Sequence, residues 1–180
     1  IVYATPEDYD TYGYEFFGHN TNNGGIYLEG DPSEEGNIAR FHAMQCPDSW
    51  APYSCEAGGD VYNLEHEFVH YLDGRYNLYG SFSYHDNTVS WAEGWAEFIS
   101  KDAGNPRNLN SVVGENIPPL YNILFMNYGF DNLYPWSYLA MQYLSEQRPD
   151  DVLALASALR ESDTALYQAQ LKIITETDGD

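Results

Sequence analysis

Two histidines four positions apart, with a glutamate directly after the first, form the stretch His66-Glu67-Phe68-Val69-His70. On a helix, residues at i and i+4 share a face, so both imidazoles can grip one ion while Glu67 stands beside the open coordination position. That is a hydrolytic zinc site in outline; the competing reading is two exposed helical histidines with a charged neighbour. A catalytic zinc takes three protein ligands plus water, so a third ligand is required. Downstream, Trp91-Ala92-Glu93-Gly94-Trp95-Ala96-Glu97 sets Glu93 and Glu97 one turn apart. Two carboxylates on one helix face repel unless a cation or an imidazole N–H lies opposite, and a zinc site supplies both. Glu93 is the expected third ligand and Glu97 the acceptor expected to orient His66. Gly94 and the flanking tryptophans argue for a buried segment rather than for solvated acids. His19, His42 and His85 have no such partners and read as ordinary structural or surface histidines.

The elements that must position these groups are legible in outline. Ile1 to Ala4 reads as a strand, and Thr5-Pro6-Glu7-Asp8 combines a capping hydroxyl, a first-turn proline and acids suited to a helix start, predicting a helix to about Phe17. Asn22-Asn23-Gly24-Gly25 is a turn signal, with strands predicted from Ile26 to Glu29 and from Ile38 to Met44. Beyond Asp60, Val61, Leu64, Phe68 and Leu72 recur at helical spacing, and Gly74 is expected as a left-handed cap that ends that helix. Trp91, Trp95 and Phe98 mark a helix between about Thr88 and Ser100. Further helices are predicted around Leu120 to Asn127, Pro135 to Glu146, Asp150 to Arg160 and Asp163 to Ile174. Strands first and helices after is an α+β pattern.

Composition bounds the partners. The chain has 180 residues, 43% hydrophobic and 16% aromatic, enough for one domain with an apolar core. Seven basic against 28 acidic side chains give a net charge of −21, a field that repels phosphate backbones and anionic lipid. Nucleic acid is therefore a poor partner, and no apolar run approaches the roughly 20 residues that span a bilayer. Lys101 and Lys172 are the only lysines, which suggests a surface selected outside an ordinary cytosol, in salt water for example. The chain starts at Ile1 without a leader, as expected of a mature or excised fragment. Cys46 and Cys55, nine apart in a proline-containing loop, are expected to pair in a local disulfide, consistent with a secreted protein.

The run HEFVHYLDGRY followed by WAEGWAE resembles the catalytic subdomain of the bacterial collagenases, gluzincin metallopeptidases that carry an HEYxHYLxGRY stretch and then an EGxAE helix. The likeness extends to Thr21 through Glu29 and to Tyr128-Gly129, and so over most of the first 140 residues. Trp95 departs from it, at a position where a small residue is expected; the departure would reshape the wall near the metal. The resemblance implies a zincin (gluzincin) fold, with a single catalytic domain over 1–180: a mixed-sheet lobe with the active-site helix over 1–73 and a mainly helical lobe over 74–180. It implies zinc between His66, His70 and Glu93, Glu67 as general base and acid, and Tyr128 as a donor to the oxyanion. It further implies a substrate strand held near Gly25, and a structural calcium bound by Glu29 and by main-chain carbonyls of Gly74, Leu78 and Gly80, hard oxygen ligands that suit that ion.

The residues read by themselves agree with hydrolysis of a peptide bond. Zinc acidifies its water and polarises a carbonyl, Glu67 moves the proton, and a phenol such as Tyr128 stabilises the oxyanion. A peptide laid beside Gly24 to Glu29 would gain main-chain hydrogen bonds, with Gly24 and Gly25 allowing close approach; a simple turn is the other account of that glycine pair. The expected protein is a secreted, extracellular, monomeric zinc endopeptidase acting on collagen-derived chains, gelatin and collagen-like peptides, and acting poorly on the native triple helix, for which relatives use further domains. The rivals are another gluzincin, such as an aminopeptidase or a thermolysin-type protease, and a zincin-like module that binds collagen without cutting. The NExxSD sequence of the thermolysin type is absent, and a pure binding module has no need of Glu67.

Overall fold

The computed structural model describes residues 1–31, 34–50, 60–77, 87–101 and 105–177. Among these residues the chain is mixed α/β, with four short strands and eight α-helices. It divides into two compact units, Ile1–Tyr71 and Leu72–Asp180.

In the first unit, β1 (Val2–Tyr3) leads into α1 (Pro6–Phe17). Thr5 caps α1 as its sequence predicts: its hydroxyl oxygen accepts from the Asp8 N–H at 3.0 Å, and Pro6 opens the first turn. Gly18 closes the helix in the left-handed region at φ 68°, its N–H donating to the Tyr14 carbonyl at 2.9 Å. β2 (Ile26–Leu28) and β3 (Arg40–Gln45) pair antiparallel, Ile26 opposite His42 and Leu28 opposite Arg40. β3 also pairs parallel with β1 and antiparallel with β4 (Val61–Tyr62), and is therefore the strand on which the sheet is built. Tyr3, Tyr9 and Met44 form the core beneath it, Tyr3 and Tyr9 meeting edge to face at 5.4 Å.

The site-bearing helix α2 (Leu64–Tyr76) follows β4 directly. Within the first unit it packs by aromatic contacts: Phe68 lies 6.1 Å from Phe41, and Tyr71 stands edge-on to Tyr27 at 6.1 Å. The expected end at Gly74 is corrected. The helix runs on to Tyr76, and the Asn77 N–H still donates to the Asp73 carbonyl at 2.9 Å. Glycine permits a left-handed turn but does not impose one, and Gly74 keeps a negative φ.

The second unit is helical. α3 (Val89–Ser100), α4 (Pro106–Val112), α5 (Leu120–Leu124), α6 (Leu133–Gln147), α7 (Pro149–Arg160) and α8 (Thr164–Thr177) enclose a core of Trp91, Leu124, Met141, Leu144, Leu155, Leu159, Leu171 and Ile174, all buried. α3 and α6 approach closely. Ser90 and Ser137 hydroxyls meet at 2.9 Å in the interior, and Gly94 lies against the Ser137 carbonyl and the Met141 side chain. Trp95 packs in this unit, 5.5 Å from Trp91 and 5.7 Å from Phe98. Asparagines in the left-handed region precede four helices: Asn63 before α2, Asn87 shortly before α3, Asn105 before α4 and Asn132 before α6. No described helix is long and apolar enough to cross a membrane.

Candidate metal centre

α2 carries both histidines on one face, as their spacing requires. Their Nε2 atoms are 3.0 Å apart, with ring centroids at 4.7 Å and ring planes at 86°, and both side chains are buried. Nitrogens about 2.1 Å from one tetrahedral zinc lie a little over 3 Å from each other, so this spacing suits a shared ion. Exposed surface histidines, the competing reading, would not be buried this way. Glu67 is also buried, and its N–H is bonded to the Asn63 carbonyl at 2.9 Å in the first turn of α2. Tyr9 lies near enough that the Glu67 charge, after burial, raises the phenol's pKa above its ordinary value.

The glycine pair before β2 has a structural explanation that its sequence did not disclose. A Cβ at Gly25 would lie 2.9 Å from Cγ and from Oε1 of Glu67, and one at Gly24 would press into the Tyr62 ring. The approach that the missing side chains allow is thus, in the first place, to the chain's own residues around the start of α2. Glu29, directly after β2, is buried, and its carbonyl accepts from the Asn37 amide at 2.9 Å. Gly74, expected as a calcium-ligating residue, is in α2. Leu78 and Gly80, the other two, lie outside the described residues, as does His85.

In the second unit, α3 buries both Glu93 and Glu97. The Tyr128 hydroxyl donates to Glu93 Oε1 at 2.6 Å, so the phenol expected to face the oxyanion touches an expected ligand here. Glu97 Oε2 accepts from the amides of Asn108 at 2.5 Å and Asn105 at 3.2 Å, both buried. Sequence reasoning missed these asparagines and the helix α4 that carries Asn108. The available signal was Asn105-Pro106, a capping residue before a first-turn proline; Asn105 Oδ1 does accept from the Asn108 N–H at 3.3 Å.

His19 and His42, read as ordinary, form a buried cluster. His42 Nδ1 lies 3.0 Å from the Tyr3 hydroxyl and 3.4 Å from His19 Nε2, with Phe17 edge-on to the His42 ring. Burial, reinforced by His19, the chain's amino terminus and Arg40, holds the His42 pKa down at about 4. Cys46 is disulfide-bonded, while Cys55 lies outside the described residues.

A helix with two converging imidazoles and a buried glutamate, and a second helix with two buried carboxylates, are the components that a hydrolytic zinc site of this kind requires. The family model of the peptidase M9 collagenases matches residues 1–179. This chain belongs to that family. The M9 chain is 38% identical over 174 residues to a microbial collagenase of Vibrio alginolyticus, covering 94% of this chain and 21% of that protein. It is 34% identical over 185 residues to a microbial collagenase of Vibrio vulnificus, with 99% and 22% covered, and 30% identical over 189 residues to collagenase ColQ1 of Bacillus cereus, with 94% and 18% covered. The M9 chain thus spans about a fifth of the length of the curated relatives that it matches.

Proposed function

We propose that this chain is the catalytic domain of a secreted zinc endopeptidase of collagenase type, with a zincin arrangement, acting on gelatin, unfolded collagen chains and collagen-like peptides. The observation that carries the proposal is the pair of buried imidazoles on α2 with Nε2 atoms 3.0 Å apart and the buried Glu67 between them in sequence. His66, His70 and Glu93 are the residues that would hold the metal, a two-histidine, one-glutamate donor set that suits zinc with a position left for water. Zinc bound there supplies Lewis acidity to the scissile carbonyl and lowers the pKa of its water toward neutrality.

The chain's own residues do the rest. Glu67 takes the proton of the attacking water and delivers it to the departing amine, a reading supported by its burial directly after His66. Tyr128 donates to the developing oxyanion, its hydroxyl already working as a donor in the bond to Glu93. Glu97, fixed by the two asparagine amides, orients the His66 ring. β2 has β3 as its one described neighbour in the sheet, so a substrate strand can add along its other edge and be read by main-chain hydrogen bonds. A structural calcium held by Glu29 and by carbonyls of Gly74, Leu78 and Gly80 belongs to the same proposal, hard oxygen donors being the ones that suit that ion.

Elemental analysis and gelatin hydrolysis test the proposal together. The chain should carry one zinc, lose turnover to a chelator and regain it with zinc; Glu67→Ala should keep the metal and lose turnover. A chain without transition metal, or a Glu67→Ala variant of full activity, defeats the reading. Gelatin should also be cut much faster than intact collagen fibrils, and equal rates would refute that preference.

A further inference from the structure

We propose that Gly25 is a positioning residue for Glu67: the side chain absent at position 25 is the space that fixes where the Glu67 carboxylate lies. A Cβ at Gly25 would stand 2.9 Å from Glu67 Cγ, 2.9 Å from Glu67 Oε1 and 3.0 Å from the His42 carbonyl oxygen, where ordinary contact starts near 3.4 Å. Something must give, and the neighbours differ in what they can do. The His42 carbonyl belongs to β3, held in register where His42 faces Ile26, the residue next to Gly25. The Glu67 side chain, by contrast, can change rotamer. Alanine at position 25 is therefore accommodated by turning Glu67 aside, with an adjustment of a few tenths of an ångström at the His42 carbonyl, which costs the fold little and costs the base its place.

Gly24 makes the same kind of approach one residue earlier, toward the Tyr62 ring and, at 3.3 Å, the Asn63 amide. The two glycines thus lie against consecutive parts of the chain around the start of α2, Gly24 against Tyr62 and Asn63 and Gly25 against Glu67. A glycine kept only for a turn would show no such contact with the base. One kept only for a substrate backbone would face open space until substrate arrived. The inference rests on the reading of Glu67 as the general base.

The test uses the zinc-loaded chain, a soluble collagen-like peptide, and measurements of kcat, KM, zinc content and Tm. Gly25→Ala should lower kcat roughly 100-fold, the scale of a misplacement of about 1 Å, with KM within about threefold and one zinc retained. Its Tm should stay within a few degrees of the parent. If Gly25→Ala alone does not fold, adding Glu67→Ala removes the two side-chain atoms that crowd the new methyl group, leaving the His42 carbonyl oxygen at 3.0 Å, and should restore folding and zinc binding. A raised KM with unchanged kcat would overturn the inference in favour of direct substrate contact; unaltered kinetics, or a folding defect that Glu67→Ala leaves uncorrected, would also overturn it. A parent chain that binds no zinc and cuts no peptide would instead bring down the general-base reading, and this inference with it.

Discussion

Gly94→Ala is a perturbation whose sign is set by tertiary packing against helix propensity. In an open helix the change would stabilise by about 1 kcal/mol, because alanine surrenders less backbone entropy than glycine. Here a Cβ at position 94 would sit 2.6 Å from the Ser137 carbonyl oxygen and 2.6 Å from Met141 Cγ. Met141 can adjust its thioether arm, but Ser137 is part of the α6 backbone, in a helix anchored in the core by Trp136, Leu144 and Met141. Both distances fall roughly 1 Å short of ordinary carbon contact, so α3 and α6 must separate. Overpacking of this kind costs about 1–3 kcal/mol, and the buried Ser90–Ser137 hydroxyl contact would stretch with it. The net expectation is a loss of about 2 kcal/mol, which for a chain of this size lowers Tm by roughly 4–8 °C. Thermal unfolding followed by circular dichroism, with zinc content measured alongside, checks it. Because Gly94 adjoins Glu93, weaker zinc retention should accompany the fall. A Tm equal to or above that of the parent would refute the packing argument and leave helix propensity as the dominant effect.

Three further outcomes are expected. Asn108→Ala removes an amide from the buried Glu97 carboxylate, a charge-assisted bond of about 2 kcal/mol, and should lower Tm by roughly 4–8 °C; an unchanged urea midpoint would contradict the network. Tyr128→Phe should reduce peptide turnover roughly 100-fold, a larger effect than the loss of its bond to the buried Glu93 has on Tm; full turnover in that variant would exclude a catalytic hydroxyl. His42, fully buried and held down at about 4 against about 6.5 in the unfolded chain, makes stability depend on acid. Above about pH 6.5 the ring is neutral in both states and its contribution is intact; between 6.5 and 4 the unfolded chain takes up a proton that the folded chain refuses, so stability falls as pH drops. Urea midpoints at pH 7.5 and pH 5 measure this, and a His42→Gln variant should show a flatter dependence; equal slopes would reject it.

Local signals were legible where the chemistry itself is local. Thr5-Pro6 opens α1, and the i, i+4 spacing of His66 and His70 is enough by itself to place both rings on one helix face. What escaped depended on partners distant in sequence. Gly24 and Gly25 announce a turn by composition, yet what they touch is Tyr62 and Glu67, some forty residues on. Asn108 looks like any polar residue in a short helix until Glu97 is seen beneath it. Gly74 failed as a stop signal because glycine lowers the cost of leaving a helix without supplying a reason to leave. His42 looked unpartnered because strand pairing and α1, rather than sequence neighbours, bring Tyr3, Phe17 and His19 to it.

The asparagines with positive φ ahead of α2, α3, α4 and α6 have a consequence for laboratory evolution of this scaffold. Each such position tolerates glycine, and aspartate nearly as well, but a valine, isoleucine or threonine there would force a branched side chain into the most hindered backbone region open to it. Randomised libraries should lose the branched residues at 63, 87, 105 and 132 before selection for turnover begins. The survivors would map where the backbone conformation leaves no choice.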